Sequence, residues 1–544
     1  MNSAANAPGL YFTATPGPAE RSPLRSDVAG FIGRTKRGPA GVPVRVTGWR
    51  EYLREFGGLR SDAVMTYSIR GYFENEGQVA HVIRLCHATA AAASAAWRIG
   101  TLDEQGAWEE GSISAFDYAG YLVEASSPGD WGNSINVTLR YRLRGSSGPP
   151  ELDVAVTARD EPPELFTGLL LGAPPAGEDP PREGSDPLAA EIAARSRLIR
   201  LTPLGPRAQA GSSKPGPHSF VWELKLGRGT DGDEIGKPEY LEAAGRLGEE
   251  GEVALVAVPG LSDDLTAEDD QFEVLIAMID QAEQSRDRLV LVDVKTEDRP
   301  SGNGGQAVER VKDTLEWAGA LRTLLDRRSR AAAIYHPRLN VNDPLGGLRR
   351  PLREIPPSGH VAGVISRLDR QRGAHQTPAN APIFEAVDVA RRFDRFEQAR
   401  FNDSGVNLLR CFPGNGIQVW GGRTLNPDPQ QRFIAHRRLI HRLVRAIRRV
   451  AEPLVFETNG PELWLTLVRS ITTVLLEAWR AGSLKGARAE EAFRVTCDAQ
   501  LNPPEEIELG RLHCEIEVAP AAPMEFILLR VSLSGEGKLE VFES

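Results

Sequence analysis

The chain is poor in sulfur, with four cysteines and four methionines in 544 residues. Cys86, Cys411, Cys497 and Cys514 form no C-x-x-C pair and no regular spacing, so neither a zinc site nor a disulfide framework is signalled. They read as free, buried thiols in keeping with a reducing cytoplasm. No stretch approaches the ~20 apolar residues a membrane span needs, so no direct membrane insertion is expected. The opening residues MNSAANAPGLYF lack the basic region and apolar core of a secretory leader. The segment GPAG (Gly38–Gly41) lacks the G-x-x-x-x-G-K-[ST] pattern of a phosphate loop. No H-E-x-x-H motif or carboxylate constellation is present, and His436 and His441 stand five apart, which does not place two ligands on one helical face. No metal and no cofactor is therefore expected. A net charge of −10 and a pI of 5.6 argue against nucleic acid as the main partner.

What is present is an ordinary folded composition, 41% hydrophobic and 25% charged, at a length that accommodates three or four domains. Residues 1–22 hold one β-prone segment, Gly9–Ala14, ahead of a Pro/Gly stretch. It is either a frayed terminus or a strand that adds to another subunit's sheet edge. Residues 23–95 read as strands around Val28–Ile32 and Val42–Val46, helices at Glu51–Phe56 and Met65–Asn75, and a strand at Val79–Leu85. Residues 96–236 are β-rich, with alternating segments at Leu122–Ala125, Ile135–Arg142, Leu152–Thr157 and Phe220–Leu226. The turn SPGDWGN carries Trp131 as an anchor. Residues 237–400 change rhythm: apolar runs at Val253–Val258, Leu289–Val294 and Ala331–Tyr335 are separated by helices at Gln271–Gln284 and Val308–Asp326. Strand–helix–strand order of this kind predicts parallel pairing in a doubly wound sheet. Residues 401–524 read as strand, Gly-rich turn, helix, helix, strand, strand. The final segment, 525–544, alternates well, with Phe526, Leu528 and Arg530 on one side and Leu539 and Val541 in a second strand after SGEG. Taken alone, it is a C-terminal hairpin.

The helix IAHRRLIHRLVRAIRRVAEPLVFE is the most informative element. Ile440, Leu443, Val444, Ile447 and Val450 form one apolar stripe at helical spacing. Arg437, Arg438, Arg442, Arg445, Arg448 and Arg449 occupy the other faces, and no acidic residue interrupts Ala435–Val450. Positive charge concentrated on one helix of an acidic protein suits an acidic partner; a solvated helix face is the alternative.

Several long runs then carry a family resemblance. GVNLLRCFPGNGIQVWGGRTL (Gly405–Leu425), RFIAHRRLI (Arg432–Ile440), FETNGPELW (Phe456–Trp464), AFRVTCDAQLNPPEEIELGRL (Ala492–Leu512) and EIEVAPAAPMEFILLR (Glu515–Arg530) resemble the C-terminal domain of contractile tail sheath proteins of phages and phage-like injection systems. Upstream, AGFIGRTKRGPAGVPVRVTGWREYLREFGG, VALVAVPG, RDRLVLVDV and SGHVAGVISRLDRQRGAHQTPAN continue it. The resemblance implies a multidomain α/β and α+β fold. Its parts are a subtilisin-like α/β domain, an inserted β-sandwich-like domain, an α+β C-terminal sheath domain facing a tube, and extended terminal strand arms. It implies that Gly9, Leu10, Tyr11 and Phe12, together with Phe526, Leu528, Arg530, Leu539 and Val541, pair with neighbouring subunits. It makes the six arginines tube-facing. It further implies stacked hexameric rings around an inner tube, baseplate and cap partners, assembly in the cytoplasm of the producing cell, and incorporation into a tail-like particle.

A fold likened to a protease requires a search for a serine-hydrolase triad, the competing enzymatic reading. His360 in SGHVAG is the one suggestive histidine. No nucleophile elbow follows it, Ser366 and Ser404 lie in unsuitable contexts, and Asp293 ends an apolar strand, where it would cap or pair locally. No catalytic role is expected. A non-contractile oligomeric scaffold is the remaining alternative.

Overall fold

The computed structural model describes residues 25–98, 100–102, 108–110, 120–143, 150–170, 186–204, 219–295, 307–349, 351–455, 457–521, 527–533 and 539–543. The expected N-terminal strand with Gly9, Leu10, Tyr11 and Phe12, and also Phe526, lie outside these residues.

The body is a nine-stranded sheet. Its spatial order is Pro382–Ile383, Gly416–Trp420, Val406–Phe412, Ala332–His336, Leu289–Asp293, Leu255–Ala257, Ala29–Gly33, Ala80–Arg84 and Val44–Val46. The strands from Val406–Phe412 through Ala80–Arg84 are mutually parallel, with antiparallel strands added at both edges. Apolar residues occupy both sides of the parallel strands because both faces are covered. In Leu289–Asp293, Leu289 and Leu291 enter one core while Val290 and Val292 enter the other. Helices Lys237–Glu249, Glu268–Ser285 and Ala307–Leu325 cover one face; Trp49–Phe56, Val64–Glu74 and Ser358–Arg372 cover the other. The segment 401–425, expected to open the C-terminal unit, instead supplies two strands of this sheet. Val406 pairs in parallel with Ile334, so the chain returns to the body before leaving it.

Helix Ser358–Arg372 was legible only as a resembling run, not as a helix. Its residues from Ser358 to Arg367 are buried all round, so no apolar/polar period marks it. It crosses Val64–Glu74 at very short range. A Cβ at Gly359 would stand 2.2 Å from the Ser68 carbonyl oxygen, and one at Gly363 would stand 2.5 Å from that of Tyr72. Glycine at these two positions is what permits the helices to approach.

Between Ser94 and Lys225 the chain builds, besides the short ribbon Gly100–Leu102 with Trp108–Glu110, two antiparallel sheets. One orders Glu164–Leu170, Pro150–Thr157, Asn136–Leu143 and Ser219–Lys225; the other orders Ile199–Pro203, Gly120–Ala125 and Ser94–Arg98. They share one core, in which Trp97 meets Trp222 edge-on at 5.4 Å and Trp131 is buried as expected. Ion pairs Arg37–Glu161 (3.1 Å) and Arg60–Asp231 (2.6 Å) tie this insertion to the body.

Candidate functional site: the basic helix and the C-terminal sheet

The helix expected at the basic stretch spans Ile434–Ala451. Its apolar stripe, Leu439, Ile440, Leu443, Val444 and Ile447, packs against Leu463, Trp464, Leu467, Ile471 and Leu475 of the next helix, Pro461–Arg480. The four-stranded antiparallel sheet Phe493–Thr496, Leu512–Val518, Ile527–Leu533, Leu539–Glu543 completes this unit. Leu512, Cys514, Ile516 and Val518 alternate inward from its second strand onto the same core.

The arginines do not form an outward face. Arg437, Arg438 and Arg445 are buried. Arg438 Nη2 donates to Asp369 Oδ2 (2.9 Å) and to the Ser26 carbonyl (2.8 Å), and Ser26 Oγ donates to the same carboxylate oxygen (2.7 Å). Arg445 donates to the carbonyls of Val253 (3.0 Å), Gly251 (2.6 Å) and Glu252 (2.6 Å). Arg448 reaches Asp287 at 3.2 Å. Arg437 Nε donates to His441 Nε2 at 3.1 Å. That contact requires a neutral imidazole, and burial followed by the charges of Arg437, Arg438, Arg445 and Arg330 holds the His441 pKa well below its ordinary value. The tube-facing assignment is thus corrected for Arg437, Arg438 and Arg445, which fasten the helix to the body. The physical reason is that their acceptors come from distant sequence, invisible to a charge count along the helix. Arg442 and Arg449 are half-buried and have no ion pair among the described residues. The freer surface belongs to helix Pro461–Arg480, where Glu462, Leu465, Arg469, Glu477 and Arg480 are exposed.

Strand Ile527–Leu533 pairs within the chain, from Val518↔Ile527 to Leu512↔Leu533, and Leu539–Glu543 pairs back onto it. Leu528, Arg530, Leu539 and Val541 therefore lie in an intramolecular hairpin, the local alternative read from the sequence.

A groove of about 850 Å³ opens where the body meets the C-terminal unit. Arg423, Arg432, His375, His436, Phe433 and Leu439 contribute to its wall, and no carboxylate lines it among the described residues.

The residues of the hydrolase reading do not assemble a triad. Ser358 Oγ donates to Asp293 Oδ2 (2.6 Å), and the Ser358 amide donates to Oδ1 (2.9 Å), so Asp293 ties the end of its strand to the start of helix Ser358–Arg372. Burial pushes the Asp293 carboxyl up to about 7, opposed by those two hydrogen bonds; by surface area its side chain keeps partial contact with solvent, which limits the shift. His360 is two residues from Ser358, on another helical face, and its ring lies against Gly71. Among the described residues neither of its ring nitrogens has a hydrogen-bond partner, and burial pushes its pKa down to about 4. Among the described residues no cluster of His, Cys, Asp or Glu could hold a metal ion, and no helix is long and apolar enough to cross a membrane.

An α/β body, a β-rich insertion and a C-terminal helix–sheet unit, fastened by buried arginines, define a multidomain structural architecture. Residues 233–425 match the family model described as the phage tail sheath protein central domain. That segment of the chain is thus similar to the central domain of phage tail sheath proteins, and curated tail sheath proteins match part of the chain. It is 26% identical over 195 residues to a prophage major tail sheath protein of Pseudomonas aeruginosa, covering 35% of this chain and 49% of that protein. It is 24% identical over 193 residues to the tail sheath protein of Enterobacteria phage T4, covering 34% of this chain and 28% of the phage protein. These matches thus span about half the curated relatives' length or less. The fold extends further. The contracted helical sheath of the anti-feeding prophage aligns over 97% of this chain and 98% of its own, at 21% identity and a TM-score of 0.51. A sheath tail protein of Listeria innocua aligns over 94% and 96%, at 12% identity and a TM-score of 0.62.

Proposed function

We propose that this protein is the sheath subunit of a contractile tail-like particle, polymerising as stacked hexameric rings around an inner tube and shortening to drive that tube through a target envelope. The observation that carries the reading is likeness along nearly the whole chain to a sheath solved in its contracted state. The extended sheath would be a metastable packing, so firing needs no nucleotide and the subunit needs no catalytic site. The arginine contacts at Asp369 and at residues 251–253 support a subunit that moves as one stiff piece. Subunits would be tethered by terminal strands. The segment Gly9–Phe12 and the hairpin holding Leu528, Arg530, Leu539 and Val541, with Phe526 before it, are the strands to be exchanged. Arg442 and Arg449 are the members of the basic helix proposed to meet the tube. Baseplate and cap proteins complete the partner set, and assembly takes place in the cytoplasm of the producing cell.

The test is negative-stain electron microscopy of the protein co-expressed with its genomic neighbours. Helically striated tubes in long narrow and short wide forms are expected. Small uniform particles, with the tube protein verified in the sample, would overturn the proposal.

A further inference from the structure

Two of the four cysteines are brought together by the C-terminal sheet. Strand Phe493–Thr496 runs antiparallel to Leu512–Val518, with Val495 opposite Ile516 and Thr496 opposite Glu515. One further step of this register sets Cys497 opposite Cys514. Opposed residues on antiparallel strands share a face and lie ~4.5–5.5 Å apart at Cα, inside the ~4.4–6.8 Å that a disulfide spans. Cys514 is buried and Cys497 is half-buried. Cys497 Sγ reaches the His513 carbonyl (3.5 Å) and accepts from Asn502 Nδ2 (3.8 Å). Proximity to Cys514 and the Asn502 amide favour the Cys497 thiolate against the opposing effect of burial, while proximity to Cys497 and burial raise Cys514. The pair therefore has one sulfur that ionises first and meets solvent, and a second held behind it.

We propose that Cys497 and Cys514 are a reversible dithiol–disulfide site, closed by a low-molecular-weight disulfide. The Cys497 thiolate attacks one sulfur of the reagent, whose S–S bond breaks and releases one thiolate. Cys514, on losing its proton to solvent, attacks the Cys497 sulfur and displaces the second thiolate. The reagent gains two electrons, the protein loses two thiol protons, and one S–S bond replaces another. The closed bond pins Phe493–Thr496 to Leu512–Val518, the strand on which the terminal hairpin is hung. The site depends on the strand register alone and stands apart from the reading of the protein as a sheath subunit.

The test uses the folded full-length protein incubated with oxidised glutathione, blocked with iodoacetamide and digested with trypsin. The expected product links the peptide of residues 495–511 to that of residues 512–530, reverses with dithiothreitol, and disappears in Cys497→Ser and in Cys514→Ala. The oxidised wild type should also melt several degrees above the reduced form, and Cys497→Ser should lose that response. A stable glutathione adduct on Cys497 with Cys514 still alkylatable would overturn the proposal. So would a link that forms only in urea.

Discussion

Helices Ser358–Arg372 and Ile434–Ala451 are both enclosed by the protein, and they are enclosed by different means. The first is made of small and apolar residues around Gly359 and Gly363, so its neighbour comes within backbone contact. The second is made of arginines and apolar residues, so it is held at arm's length by guanidinium groups that find carbonyls and Asp369. Close backbone packing tolerates no added atom. Guanidinium anchoring tolerates changes of shape but not the removal of one charged partner. The body is thus tight at its centre and polar where the C-terminal unit attaches.

The largest expected effect tests the anchoring. Arg438→Ala leaves Asp369 buried and unpaired and should cost about 3–5 kcal/mol. Replacing both, as Arg438→Met with Asp369→Leu, should recover most of that loss in denaturant unfolding. Equal losses in the single and double variants would show that the pair is not what fastens the helix. The next largest tests the close packing. Gly359→Ala places its Cβ 2.2 Å from the Ser68 oxygen and should destabilise by about 1–3 kcal/mol. Wild-type stability there would remove the close approach from the account.

A third effect depends on pH. Burial lowers His360 from 6.5 to about 4, so its neutral form is favoured by folding. The stability it contributes is present above the unfolded value and is lost as pH falls from about 6.5 towards 4, by at most about 3 kcal/mol. Tyr67, Arg70, Glu74 and Glu385 surround it. Asp293, raised to about 7, acts with the opposite sign over the same range, since its protonated form is favoured by folding. His360→Gln should therefore shift the melting-temperature slope between pH 7 and 5 towards greater relative stability at the acid end, the direction left by Asp293. An unchanged slope would assign the pH dependence elsewhere.

The smallest effect on stability concerns the arginines that are not anchored. Arg442→Glu with Arg449→Glu should shift unfolding by no more than about 0.5 kcal/mol per site, as expected for surface changes. In co-expression with the tube protein the same variant should lose assembled sheath. Normal assembly would exclude both residues from the proposed tube contact.

Much of the fold was legible where a single period was enough. The apolar runs at Val253–Val258, Leu289–Val294 and Ala331–Tyr335 contain the strands Leu255–Ala257, Leu289–Asp293 and Ala332–Tyr335, the last extended to His336, and the basic stretch is one helix. Helix Ser358–Arg372 was missed because burial on every side erases the period that reveals helices. Strand Val406–Phe412 was assigned to the wrong unit because its partner Ala332–His336 lies about seventy residues upstream. The facing of Cys497 and Cys514 required the strand register and had no signal in their spacing.

Charge and hydrophobic spacing by themselves determined the helices and strands that show a period, since those depend on neighbours within a turn or an alternation. Only the tertiary structure decided which way the arginines face. Their acceptors at Ser26, residues 251–253, Asp287 and Asp369 lie far away along the chain, and a buried guanidinium is stable only where such acceptors converge.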